Sequence, residues 1–123
     1  MTRRNKNLGD WGEIKACGFL ERHGFVVLDR NYYTPTGEID IVARLGDDFY
    51  FIEVKTRRAG YLASDLSITE LKKMKFVRVV KRYCYKRNIP DDVGIIFAGL
   101  IVAVDRIKKS VKFRMFVMRD IKF

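Results

Sequence analysis

The chain has little of what many small functional sites are built from. Its 123 residues include two cysteines, Cys17 and Cys84, and one histidine, His23. A structural zinc site takes about four Cys or His ligands, so these three residues exclude one. The cysteines lie far apart in no ligand spacing and read as buried, reduced thiols. There are only two prolines. No linker, repeat or low-complexity stretch interrupts the chain, which reads as a single domain over residues 1–123. The longest apolar run, Val93 to Val104, contains two glycines and falls short of the ~20 residues that cross a bilayer. The basic start, Met1 to Lys6, is not followed by an apolar core, so no signal peptide is expected. A cytoplasmic protein with no membrane partner is the expectation.

Hydrophobic residues make up 48% and aromatics 13%, which excludes a mainly disordered chain. Lys and Arg total 25 against 15 Asp and Glu, a net charge of +10. Such an excess favours an anionic partner, with nucleic acid first and an acidic membrane surface second. A solvated basic surface that only aids solubility is the bland alternative.

Apolar spacing predicts a helix from about Asn7 to Arg22, capped at Gly24. Glu13 lies inside its apolar arc, beside Ala16, Cys17 and Leu20. Phe25 to Leu28 reads as a strand, and Asn31 to Gly37 as turn-rich. Glu38 to Arg44 and Phe49 to Thr56 read as strands joined across Gly46-Asp47-Asp48 in an antiparallel hairpin. Ser67 to Glu70 matches a capping box and opens a helix running to about Asn88, where Pro90 blocks continuation. Val93 to Val104 reads as a buried strand and Val111 to Met118 as a fifth. The fold class is α/β, a mixed sheet flanked by helices in the order α-β-β-β-α-β-β.

Strand side chains alternate faces, so Glu38 shares a face with Asp40, and Glu53 with Lys55. Pairing across Gly46 in one register sets Asp40 beside Glu53. Their neighbours Ile39, Ile41, Ile52 and Val54 are apolar. A charge there costs several kcal/mol unless it is paired or bound to metal. Carboxylates with one ammonium at a core edge point to Mg²⁺ or Mn²⁺, which take oxygen ligands. Three of the five glutamates, Glu13, Glu38 and Glu53, stand in this constellation. An exposed E-x-K ion pair is the structural alternative.

From Leu71 to Asn88 there are eight basic residues and no acid. Lys75, Arg78, Lys81, Arg82 and Lys86 fall on one helical face, with Phe76, Val77, Val80, Tyr83 and Cys84 roughly opposite. A one-signed face is what phosphate-backbone binding requires. Lys72 and Lys73, in the first turn, have a claim to reach over the carboxylates. Arg57, Arg58, Arg3, Arg4 and Lys6 extend the patch.

Asp40 with Glu53-Val54-Lys55 resembles the D-x(n)-E-x-K signature of the restriction-endonuclease-like, or PD-(D/E)xK, superfamily. Ile39 replaces the proline of that name. Gly12-Glu13, Arg30-Asn31, Gly37 to Asp40, Phe51 to Arg57, Thr69 and Lys72 together are similar to the YraN-like family, small bacterial proteins related to archaeal Holliday-junction resolvases. The resemblance spans about Asn7 to Val104. It implies a metal-dependent endonuclease that cleaves nucleic acid, DNA first and branched DNA among its substrates. It implies Mg²⁺ or Mn²⁺ held by Asp40, Glu53 and the Val54 carbonyl, with Glu13 helping and Lys55 positioning the attacking water. Glu38, Arg57, Arg58, Lys72, Lys73, Lys75, Arg78, Lys81 and Arg82 complete the nucleic-acid contacts. Junction cleavage needs two sites, so a homodimer is expected. A catalytically silent nucleic-acid-binding module with the same fold is the alternative, since fold does not fix function.

Overall fold

A computed structural model describes residues 3–58, 69–119 and 121, with side chains from Leu8 onward. Helix α1 (Arg3–Arg22) begins earlier than its apolar pattern requires. It buries Ala16, Cys17 and Leu20. It ends as expected at Gly24, whose φ of +87° allows the Phe25 N–H to reach the Leu20 carbonyl and the Gly24 N–H the Glu21 carbonyl. That pair of bonds satisfies carbonyls the last helical turn would otherwise leave unmet.

Three strands follow, β1 (Val26–Thr34), β2 (Gly37–Leu45) and β3 (Asp48–Arg58). Helix α2 (Glu70–Lys86) leads to β4 (Ile95–Asp105) and β5 (Ser110–Val117). The sheet order is β1-β2-β3-β4-β5, antiparallel except where β4 lies parallel to β3. A parallel neighbour needs a long crossover, and α2 lies within it. The predicted order of elements is therefore the observed one. No helix among the described residues is long and apolar enough to cross a membrane.

The sheet carries a core on each face. On one, α1 packs over Ile41, Ala43, Ile52, Ala98, Leu100 and Val102. On the other, Val79, Val80 and Tyr83 of α2 pack over Ile39, Val42, Phe51 and Phe97. The adjacent residues Ile52 and Phe51 fall in different clusters, as strand alternation demands.

The structure corrects the sequence reading in three places. First, β1 does not stop at Leu28. It continues to Thr34, and only Pro35 and Thr36 turn. Asn31 has a φ of +53°, a left-handed conformation that asparagine tolerates, so the irregularity is absorbed without ending the strand. Second, alternation fails around Asp40. Ile41 packs under α1 but Ile39 packs under α2. Tyr32, paired with Ile39, also joins the α2 side. The tip of the β1–β2 hairpin thus rolls toward α2, and Glu38 and Asp40 cannot be assigned a shared face by counting in twos. Third, the α2 cap is Thr69, whose hydroxyl accepts from the Lys72 N–H at 3.2 Å. Ser67 lies outside the described residues.

A side-chain triad ties the rolled hairpin to α2. The Tyr83 hydroxyl donates to Asp29 Oδ2 at 2.6 Å, and Arg87 Nη2 stands 3.4 Å from Asp29 Oδ1. Burial and the Asp29 carboxylate both push the Tyr83 phenol upward, so it remains a donor.

Helix α1 sits so close to β3 that a Cβ at Gly12 would collide with the Thr56 hydroxyl. Gly12→Ala should therefore destabilise the fold by about 1–3 kcal/mol, read as a lower denaturation midpoint. In a Thr56→Ala background most of that cost should disappear, because the colliding atom is gone.

Candidate functional site

Strands β2 and β3 pair in one register from the Gly46 turn up to Ile41 and Ile52. One step further, the same register would set Asp40 opposite Glu53, but the ladder has stopped. In its place Asp40 Oδ2 accepts a 2.8 Å hydrogen bond from the Val54 backbone N–H. A side chain has substituted for the missing strand partner, and the two strands part. In a β-strand the N–H and C=O of one residue face the same neighbour. The Val54 carbonyl therefore faces the same opening as its N–H.

Around this fork stand four carboxylates. Asp40 is held up to about 7, first by burial, which the Val54 N–H opposes, and then by the charges of Glu13, Glu38 and Glu53. Glu13 reaches the fork from α1. Burial also raises its pKa, against a polar contact from Asn31 and the charge of Arg30. Arg30 Nη2 lies 3.9 Å from Glu13 Oε2, too far for a hydrogen bond. Glu13 Oε2 is buried with no hydrogen-bond partner among the described residues. The sequence anomaly of Glu13 thus corresponds to a carboxylate on a core face with an unsatisfied oxygen. Glu53 and Lys55 stand half-buried on β3, at the positions that alternate with Phe51 on the α2 side.

The other predicted residues divide. Glu38, Arg58 and Lys72 are exposed, and Arg57 is half-buried. The lysine drawn inward at the start of α2 is Lys73 rather than Lys72. Its side chain is 13% exposed and its Nζ is 3.2 Å from Glu70 Oε1. One helical residue turns the side chain by about 100°, enough to separate the two. Lys75, Arg78, Lys81, Arg82 and Lys86 are exposed. Val79, absent from the expected apolar face, is buried beside Val80 and Tyr83. Arg30 and Asn31 were not expected to flank Glu13. The left-handed φ of +53° at Asn31 breaks strand alternation where these two consecutive residues meet Glu13.

Among the described residues, no three acidic, histidine or cysteine side chains already form a metal-holding cluster. Mg²⁺, however, usually takes one or two protein carboxylates, with waters and substrate phosphates filling the rest. A buried carboxylate oxygen with no hydrogen-bond donor among the described residues, the repulsion of three acids on Asp40 and a carbonyl facing the fork fit such a partly furnished site. They do not amount to an all-protein cage.

The raised Asp40 pKa has a stability consequence for the metal-free protein. Its ionised form is penalised in the fold, so stability falls as pH rises from the ordinary aspartate value of 3.8 through about 7. Asp40→Asn removes the charge and retains an acceptor for the Val54 N–H. In EDTA it should raise stability at mildly alkaline pH by on the order of 1–3 kcal/mol. The gain should shrink toward pH ~4, where both proteins carry a neutral group. Thermal melts across that pH range check it.

The family model described as "Uncharacterised protein family UPF0102" matches residues 12–113. A UPF0102 protein of Roseiflexus castenholzii is 41% identical over 109 residues, 81% of this chain and 86% of its own. One from Geobacter metallireducens is 36% identical over 117 residues, covering 89% and 96% of the two chains. One from Dictyoglomus thermophilum reaches 54% identity over 54 residues, 44% of this chain and 46% of its own. The matched span takes in Glu13, the Asp40 fork, Glu53, Lys55 and the whole of α2. The chain belongs to the UPF0102 family, the YraN-like group of nuclease-like proteins.

Proposed function

We propose that the protein is a metal-dependent endonuclease that hydrolyses DNA phosphodiester bonds, with branched DNA among its substrates. The observation that carries this reading is the fork at Asp40. A half-buried carboxylate is pinned to the Val54 N–H and crowded by three further acids, with Lys55 two residues beyond Glu53. Acids on so basic a chain are costly to gather unless a cation is to be held there.

Asp40 and Glu53, with the Val54 carbonyl, would hold Mg²⁺ or Mn²⁺. Such a cation supplies Lewis-acid polarisation of a phosphoryl oxygen. Lys55, two residues along β3 from Glu53, would offset negative charge growing on the phosphate during in-line attack. Glu13, whose carboxyl burial pushes up and whose Oε2 lacks a hydrogen-bond donor among the described residues, would help hold the metal or orient its water. The exposed cations of α2 supply phosphate-backbone attraction that weakens with salt.

A second reading, a catalytically silent DNA-binding module, draws on the missing three-ligand cluster among the described residues. Cleavage of duplex and branched DNA by purified protein with Mg²⁺ or Mn²⁺ separates the two. Asp40→Asn and Glu53→Gln should each lower cleavage by on the order of 100-fold or more, and DNA binding in EDTA should change by less than about threefold. Full cleavage by Asp40→Asn would overturn the endonuclease assignment. Salt-sensitive binding with no cleavage by the unaltered protein would establish the silent module. A homodimer, proposed from the need to cut two strands of a junction, should sediment as such at low micromolar concentration.

A further inference from the structure

The strand registers set three rows of residues across β3, β4 and β5 on the face that α2 partly covers. They are Glu53, Gly99 and Phe116; Lys55, Ile101 and Arg114; and Arg57, Ala103 and Lys112. Phe51, Phe97 and Phe116 all pack in the α2-side cluster, which fixes the face. The middle column is low and uncharged. Gly99 admits the Phe116 ring where any Cβ would collide with it, and Ile101 and Ala103 are buried.

Beyond that column, β5 presents Arg114 and Lys112, both exposed. Neither has an ion-pair partner among the described residues. Adjacent strands lie about 4.8 Å apart, so Arg114 stands roughly 10 Å from Lys55 across the sheet. Two residues along a strand advance about 7 Å, which carries the cations from Arg114 to Lys112 and on toward the β4–β5 turn. That turn holds Lys108 and Lys109, also exposed. Edge strands often carry charge simply to prevent edge-to-edge pairing. That accounts for exposed cations. It does not account for their alignment, row by row, with Lys55 and Arg57, or for the lack of an acid on this face of β5.

We propose that this face of β5, with Arg114 and Lys112 at its centre and Lys108 and Lys109 at its end, is a second DNA-binding surface. It would grip the phosphate backbone of a duplex arm leaving the Asp40 fork on the side opposite the hairpin tip. The inference rests on the proposed endonuclease reading for its choice of DNA, and its test does not depend on cleavage.

The test is fluorescence anisotropy of a short labelled DNA duplex with the full chain in EDTA, between about 50 and 200 mM salt. Lys112→Gln with Arg114→Gln should weaken binding about tenfold at the lower salt and flatten the log–log salt slope by about 1.8, the signature of two lost phosphate contacts. The charge-keeping pair Lys112→Arg with Arg114→Lys should restore both. If the Gln pair binds with unchanged affinity and slope, the β5 surface is overturned and the endonuclease reading stands. If the Arg/Lys pair fails to restore binding, charge is not the cause and the inference also fails. If the unaltered protein binds no duplex, it is the nucleic-acid reading itself that fails. A clear preference for duplex RNA of the same sequence would overturn the choice of DNA.

Discussion

The hydrogen bond from the Val54 N–H to Asp40 Oδ2 determines where β2 and β3 part. A buried backbone N–H left without a partner costs about 1–3 kcal/mol, so strands do not separate inside a sheet without a substitute acceptor. Asp40 is that substitute. Its carboxylate completes the ladder for one residue and ends it for the chain beyond, which frees the β1–β2 tip to roll toward α2. It also faces a functional group into the gap, because the Val54 carbonyl shares the direction of its N–H. One side chain thus shapes the sheet and furnishes the site.

The fork lies at the seam of the two cores, and this explains how acids reach it from different elements. Gly12 lets α1 press against Thr56, and Glu13, the next residue, is carried to the sheet with it. The left-handed Asn31 turns β1 so that Arg30 and Asn31 both approach Glu13 while Tyr32 joins the opposite core. Asp29, further back on β1, fastens the hairpin to Tyr83 of α2 and to Arg87 at the C-cap of that helix. The site therefore depends on two helices that do not share a face. Loss of packing on either side would move at least one of its carboxylates.

The order of elements and most of their boundaries were legible because each rests on local chemistry. Gly24 caps α1 by its own conformational freedom, Gly46 closes the β2–β3 turn, and the unbroken apolar run of β4 marks a strand buried on both faces. Glu13 was legible as a charge out of place on its helix. The register of the β2–β3 hairpin followed from the short Gly46 turn alone, though its ladder stops one step before Asp40 and Glu53. What sequence could not show is what depends on a non-local exception. Counting in twos linked Glu38 to Asp40, yet the roll of the hairpin begins at Asn31, on another strand. Ser67 with Glu70 matches a capping box, yet the cap is Thr69, two residues on. Lys72 and Lys73 are chemically alike, so their separation waits on the rotation of the helix. The cations of β5 carry no motif at all and become a row only when the register of three strands is known.

The charge distribution links these features to the proposed activity. Four acids crowd a fork on a chain of net charge +10. Without a cation, that fork repels a phosphate. Basic residues on α2 and β5 offset this at a distance, and Lys55 does so inside the site. Long-range attraction of that kind is screened beyond about 10 Å at ordinary salt, so under the proposed reading it would bring a polyanion to the protein without seating it. Seating would then require neutralisation at the fork itself, by a proton on Asp40 or by a dication. Protonation removes that carboxylate as a ligand, whereas a dication retains it. Under the proposed reading, the raised Asp40 pKa is therefore the cost of a site left underfurnished until cation and phosphate arrive together.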